Sequence, residues 1–213
     1  MRVRRTPQRV AARREQILDT ARRLFDADGT AAVSTARIAR EAGISPGNLY
    51  YWFPDKADIV RALYEQWSVR SEPPIDQNRT ADEILQTLWW AGRRQATVTT
   101  EFVFFSRELF TLLHADPTLR SMYRANFERR LALFEAIGES VIGDGLIRRP
   151  DPPSSVRDVI TQLWLVAETA VPFADAVGRD LFDPHRAHTA IIEPLLTERG
   201  RLALGLPPQG EWT

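Results

Sequence analysis

Apolar residues recur at spacings of three and four along nearly the whole chain. In 9–28, Val10, Ile17, Leu18, Ala21, Leu24 and Phe25 share a face and Gly29 follows, which predicts an amphipathic helix with a C-terminal stop. Ser34 is an N-cap candidate for a short helix, Thr35–Ala42, that ends before Gly43. Ser45-Pro46 places a cap before a proline at the first helical position and opens a second short helix, ended by Phe53-Pro54. Asp55 caps a longer helix to about Val69, with Ile59, Ala62, Leu63 and Trp67 on one face.

Ser71-Glu72-Pro73-Pro74 interrupts the pattern. Thr80-Ala81-Asp82-Glu83 has the form of a capping box and predicts a helix to about Thr97. A strongly apolar helix follows at roughly 100–114, and Asp116-Pro117 starts one that runs to Gly143. The stretch RRPDPPSS at 148–155 reads as a loop. Ser155 caps a helix to about Gly178 with Pro172 as a kink site, and Asp183-Pro184 caps the last helix, which Pro194 bends or breaks. The tail LPPQGEWT is expected to fray. With no repeat and no alternating strand pattern, the expected fold is all-α. It divides into a head at 1–55 with a basic arm at 1–9, a connecting helix at 56–71, and a helical body at 72–213.

Composition narrows the possible chemistry. The 213 residues are 44% hydrophobic and 26% charged, ordinary for a folded domain and too apolar for disorder. The absence of cysteine excludes disulfides, thiolate metal sites and thiol nucleophiles. No apolar run reaches ~18 residues, so no membrane span is expected. The basic N-terminus lacks the apolar segment of a secretory signal, and a cytoplasmic location follows as the expectation. Lys+Arg and Asp+Glu both number 28, yet residues 1–66 hold 12 basic and 8 acidic residues. A basic head on an acidic body suits a nucleic-acid-binding module.

Three helices joined by tight turns within the first 55 residues suggest a helix-turn-helix. The stretch Ala39-Arg40-Glu41-Ala42-Gly43-Ile44-Ser45 supplies the turn. Gly43 suits a left-handed position, Ile44 plugs the core, and Ser45 caps the helix that would enter the major groove.

Residues 13–66 resemble the DNA-binding domain of TetR-type transcriptional repressors. The strings RREQILDTARRLFDADG and IAREAGISPGNLYYWFPDK carry the resemblance. The helical remainder is similar in length and pattern to that family's ligand-binding and dimerisation domain. The resemblance implies that Ser45, Pro46, Gly47 and Asn48 approach base edges, with Asn48 able to pair with adenine. Tyr50 and Tyr51 are then suited to phosphate, as are Lys56 in the first turn of the next helix and Ser34 and Thr35 at the start of the second. Arg2, Arg4, Arg5 and Arg9 of the arm would reach a minor groove or the backbone. Trp52 stands where the family usually has His, and touches a thymine methyl or packs. Arg37 replaces a frequent acidic residue, weakening a cap and gaining a groove-facing cation.

Other chemistry fits less well. Gly43-Ile44-Ser45-Pro46-Gly47 matches the esterase pattern G-x-S-x-G, but that elbow needs a preceding strand and a parallel sheet, and helical periodicity precedes it here. His185 and His188 with Asp183 have metal-ligand spacing but no second ligand pair, and read as solvent-exposed histidines. No enzyme activity, metal or cofactor is expected.

The body is rich in aromatics. A mainly apolar ligand pocket between helices is expected, lined by Trp89, Phe102, Phe105, Phe110 and Trp164, with Arg93, Arg107, Glu108 and Glu168 as candidate polar groups. The last two long helices look two-sided, and Val159, Leu163, Val166, Ile191 and Leu195 are candidates for a homodimer face. The reading is a homodimeric DNA-binding regulator, released from a near-palindromic operator by a small apolar effector. The alternatives are an activator or a regulator without effector, and remotely a hydrolase using Ser45.

Overall fold

The computed structural model describes residues 7–74, 79–178 and 180–208. Arg2, Arg4, Arg5, the side chain of Arg9 and the last residues of the tail lie outside the described residues. Among the described residues the chain is helical and has no strand. The helices are α1 (Pro7–Asp28), α2 (Thr35–Glu41), α3 (Pro46–Trp52), α4 (Lys56–Arg70), α5 (Ala81–Trp89), α6 (Ala91–Glu101), α7 (Val103–Ala115), α8 (Pro117–Gly143), α9 (Val156–Val177), α10 (Pro184–Ile192) and α11 (Glu198–Ala203), with a 3-10 turn at Glu193–Leu195 before the last.

The caps read from sequence form as expected. Ser34, Ser45, Thr80 and Ser155 each accept a backbone N–H three residues on, and the boxes at Thr80/Glu83 and Ser155/Asp158 close in both directions. Two predicted elements differ. The helix expected from Thr80 to Thr97 breaks at Trp90, so α5 and α6 are separate. Pro194 ends α10 in a 3-10 turn because it has no N–H to continue the ladder.

The chain forms two compact units, and their boundary is not a single cut near residue 71. The first unit is the chain up to Arg70 together with Phe102–Arg120; the second is the rest. In the first unit α1 buries Ile17, Leu18, Ala21 and Phe25, and α4 buries Ile59, Leu63, Tyr64 and Trp67. An apolar helix must cover more than one side, and α7 does so here. Phe104 meets Phe25 at 5.3 Å between ring centroids, and Phe105 stacks on Trp67 at 5.5 Å. Burying a phenylalanine stabilises by about 1.5–3 kcal/mol, and both Phe104 and Phe105 are almost fully buried.

Polar contacts fix α7 in register. Asp26 accepts the Phe104 N–H at 3.0 Å, and Glu108 accepts both the Thr30 N–H, at 3.1 Å, and its hydroxyl, at 2.5 Å. Arg61 grips Asp116 with two N–H donors at 2.8 and 3.1 Å. The second unit has its own core of Leu85, Trp89, Val141, Leu146, Ile192 and Leu196.

Candidate functional site

The turn between α2 and α3 is built from local hydrogen bonds. Gly43 has φ +64°, a conformation that a Cβ would strain. The Ala42 N–H returns to the Ile38 carbonyl at 2.9 Å and the Ile44 N–H to the Ala39 carbonyl at 3.0 Å. Gln16 of α1 donates to the Ala42 carbonyl at 3.3 Å and ties the turn to the first helix. The Ser45 hydroxyl then accepts the Asn48 N–H at 3.2 Å, with Pro46 at the first helical position.

Leu49 is fully buried and anchors the inner face of α3. Ser45, Pro46, Gly47, Tyr50 and Tyr51 are therefore outward and exposed, and Asn48 is half-buried. No atom lies within 4 Å of where a Cβ on Gly47 would stand, so the backbone there is open to a close approach. The Thr35 and Tyr50 hydroxyls are 3.1 Å apart, which joins the start of α2 to the outer face of α3. This short helix, held from behind and bare at its leading turn, is the form that reads base edges in a helix-turn-helix.

Three expected contact residues are placed differently from a simple groove-facing set. Lys56 donates to the Thr30 carbonyl at 2.7 Å and the Val33 carbonyl at 3.1 Å, so its ammonium holds the α1–α2 loop. Arg37 pairs with Asp28 at 2.6 Å. Both partners are over a third exposed, and such a pair is worth about 0–1 kcal/mol. Trp52 is half-buried with its ring edge-on to Tyr51 at 5.5 Å.

The second unit contains a cavity of about 180 Å³ walled largely by apolar side chains, among them Val141, Ile160, Leu163, Trp164 and Ile192. Arg130 and His188 are wall residues too, each only 7% exposed. His188 Nε2 lies 3.3 Å from the Leu88 carbonyl, so it carries the proton and donates, and burial holds the ring neutral by lowering its pKa. The side chain packs closely against Gly92, where a Cβ would stand 2.9 Å from the His188 Cβ.

Behind Trp164 runs a polar chain. The Trp164 Nε1–H donates to the Tyr123 hydroxyl at 2.8 Å, and that hydroxyl donates to Glu168 at 3.4 Å. Desolvation pushes the Glu168 pKa up to about 7, against the opposing Tyr123 hydrogen bond and the Arg130 charge. The Arg130 guanidinium lies 5.7 Å from the Trp164 ring centroid.

Of the aromatics expected to line a pocket, Trp164 does so. Trp89 is in the core of the second unit, Phe102 and Phe105 are buried in the first, and Phe110 is 56% exposed. Val159, Leu163 and Leu195, expected at a dimer face, are cavity-wall residues, and Val166 and Ile191 are half-buried. His188 is buried rather than solvent-exposed because it packs on a glycine. The stripe Val159–Leu163 was visible as apolar periodicity, but periodicity does not say whether a stripe faces a cavity, a core or a partner. Arg130 gave no sequence signal, lying among several arginines on α8.

Comparison with known proteins agrees with this geometry. Residues 17–63 match the family model described as bacterial regulatory proteins, tetR family, and residues 73–204 match one described as bacterial transcriptional repressor. The transcriptional regulator AcrR of Shigella flexneri is 39% identical over 62 residues, which are 29% of this chain and 29% of AcrR. The chain thus spans less than a third of that curated relative. A crystal structure of a TetR-family regulator from Marinobacter aquaeolei VT8 is 26% identical, covers 90% of this chain and 95% of its own, and superposes with a TM-score of 0.74. A regulator from Saccharomonospora viridis in complex with choline shares the fold, at 20% identity over 86% of this chain and 95% of its own, with a TM-score of 0.64.

A capped, exposed reading helix on a helical body defines a helix-turn-helix transcriptional regulator. The chain belongs to the TetR family. Its members are regulators rather than enzymes, and the GISPG string serves as the turn and cap of α3 with a helix, not a strand, before it.

Proposed function

We propose that the protein is a homodimeric repressor that leaves its operator when a small, mainly apolar effector fills the cavity of the second unit. The observation that carries the DNA-binding part is the leading turn of α3, capped by Ser45 and exposed through Gly47. Asn48 reads a base edge there, and Tyr50, Tyr51, Ser34 and Thr35 contact phosphate. In a dimer, two such helices enter successive major grooves about 34–36 Å apart, so the operator is a near-palindrome.

The pairing face is the outer side of α9. Leu165 and Phe173, eight residues and about 80° apart around the helix axis, are 53% and 51% exposed there. Exposed large apolar side chains of this kind are the usual mark of an interaction surface. Effector control follows from linkage: a hundredfold loss of operator affinity requires about 2.7 kcal/mol of preference for the form that does not fit the grooves. The cavity favours a regulator with an effector over one that binds DNA alone.

The test is selection of duplexes from a randomised pool, followed by an anisotropy titration of the winner. The expected product is a two-fold site bound by a dimer, with Asn48→Ala changing base preference. The combined variant Leu165→Asp/Phe173→Asp should run as a monomer and lose the two-fold site. A wild-type protein that runs as one subunit and ignores duplex DNA at low ionic strength refutes the reading.

A further inference from the structure

We propose that the cavity takes a small uncharged molecule, a single-ring aromatic compound being the simplest case, and rejects ligands of either charge. This assignment rests on reading the cavity as the effector site.

The polar groups of the wall are either engaged already or neutral. Among the described residues, the wall side chains able to meet a polar ligand atom are Arg130, Arg94, Gln95, His188, Ser71 and the Trp164 indole. The Trp164 N–H is spent on the Tyr123 hydroxyl, and the His188 Nε2–H on the Leu88 carbonyl. Arg94 is exposed and donates to the Glu72 carbonyl at 2.8 Å. Arg130 is not spare either. It already has partners, its charge and that of the Glu168 carboxylate attract, and its guanidinium sits over the Trp164 ring. What the wall keeps for a ligand's polar atom is the neutral amide of Gln95 and the neutral hydroxyl of Ser71.

Charge therefore works against both kinds of ion. An ammonium would meet no carboxylate on the wall among the described residues, and Arg130 already holds the cation position over Trp164, 5.7 Å from the ring centroid. A ligand carboxylate would have to draw Arg130 from its present partners, and would bring a second negative group toward Glu168. Burying an ion that gains no new partner is costly, whereas an uncharged ligand asks only for apolar contact. Trp164 and Phe134 offer aromatic surface for that contact. Size agrees. An engineered apolar cavity of about 150 Å³ in another protein stays dry and binds benzene. At about 180 Å³, this one suits one ring with a short substituent.

Calorimetric titration of the full chain with benzyl alcohol, benzoate and benzylammonium at neutral pH tests the assignment, because the probes share one ring and differ in charge. Benzyl alcohol should bind at least roughly tenfold more tightly than either ion. Ala167→Leu adds bulk to the wall and should weaken benzyl alcohol binding several-fold. The wild-type ranking decides the question even if that variant does not fold. Benzoate or benzylammonium binding as tightly as benzyl alcohol, or none of the three binding, overturns the proposal. Wild-type affinity of Ala167→Leu for benzyl alcohol overturns it too, since the probe would then sit elsewhere. Preference for benzyl alcohol, lost in Ala167→Leu but with no effect on operator affinity, keeps the assignment and removes the ligand-release reading.

Discussion

Glu168 offers a quantitative test of the polar chain behind Trp164. Its pKa rises from 4.5 to about 7, with desolvation the main cause. At about 1.36 kcal/mol per pKa unit, ionising it in the folded protein costs on the order of 3 kcal/mol once the pH is well above 7. A carboxyl whose folded pKa exceeds its unfolded value holds its proton more tightly in the native state. That contribution to stability is complete below about pH 4.5, declines as the pH rises from there through 7, and is gone beyond. Glu168→Gln keeps an oxygen for the Tyr123 hydroxyl and never ionises. The variant should match the wild type near pH 5 and exceed it by roughly 1–3 kcal/mol at pH 8.5, which is several degrees in Tm for a chain this size. Urea unfolding from pH 5 to 8.5, at fixed protein concentration because assembly adds its own stability, measures the difference. Identical pH profiles for the two proteins would show that Glu168 is solvated and that the reasoning about its burial is wrong.

Three further outcomes follow from the contacts described. Lys56→Met leaves the Thr30 and Val33 carbonyls without their shared donor, so it should cost about 1–3 kcal/mol in thermal unfolding and weaken binding to all duplexes alike. An unchanged Tm would show that the ammonium is not a structural tie. Ser45→Ala removes the cap of α3 and should cost about 1 kcal/mol while lowering operator affinity; anisotropy and melting curves together check it. Gly92→Ala puts a Cβ 2.9 Å from the His188 Cβ and should destabilise by about 1–3 kcal/mol in thermal unfolding. A wild-type Tm for that variant would show that the two helices separate freely enough to admit a methyl group.

The head was legible because its signals are local. Ser34, Gly43, Ser45 and Pro46 act within four residues of themselves, and caps and turns of that reach are written in short strings. The body was legible as helices and not as an arrangement. Trp164, Phe102 and Phe105 carry the same apolar signal for a pocket, yet Trp164 walls the cavity while Phe102 and Phe105 pack in the other unit. A helix that is apolar on several sides carries no mark of which neighbour covers each side. Lys56 shows the same limit for polar groups. Its position in the first turn of α4 was plain, but the carbonyls it meets belong to a loop more than twenty residues earlier.

The unit that carries the reading helix is completed by a segment the chain supplies only after a detour of some thirty residues. Phe104 and Phe105 cover Phe25 and Trp67, while Asp26 and Thr30 find their partners on α7. A fragment cut at Arg70 would leave those aromatic faces wet and Asp26 without its backbone donor. The DNA reader is thus no free-standing cassette. A chimera meant to transplant its operator preference to another regulator must carry Phe102–Arg120 along with the first seventy residues, or accept a loosened graft.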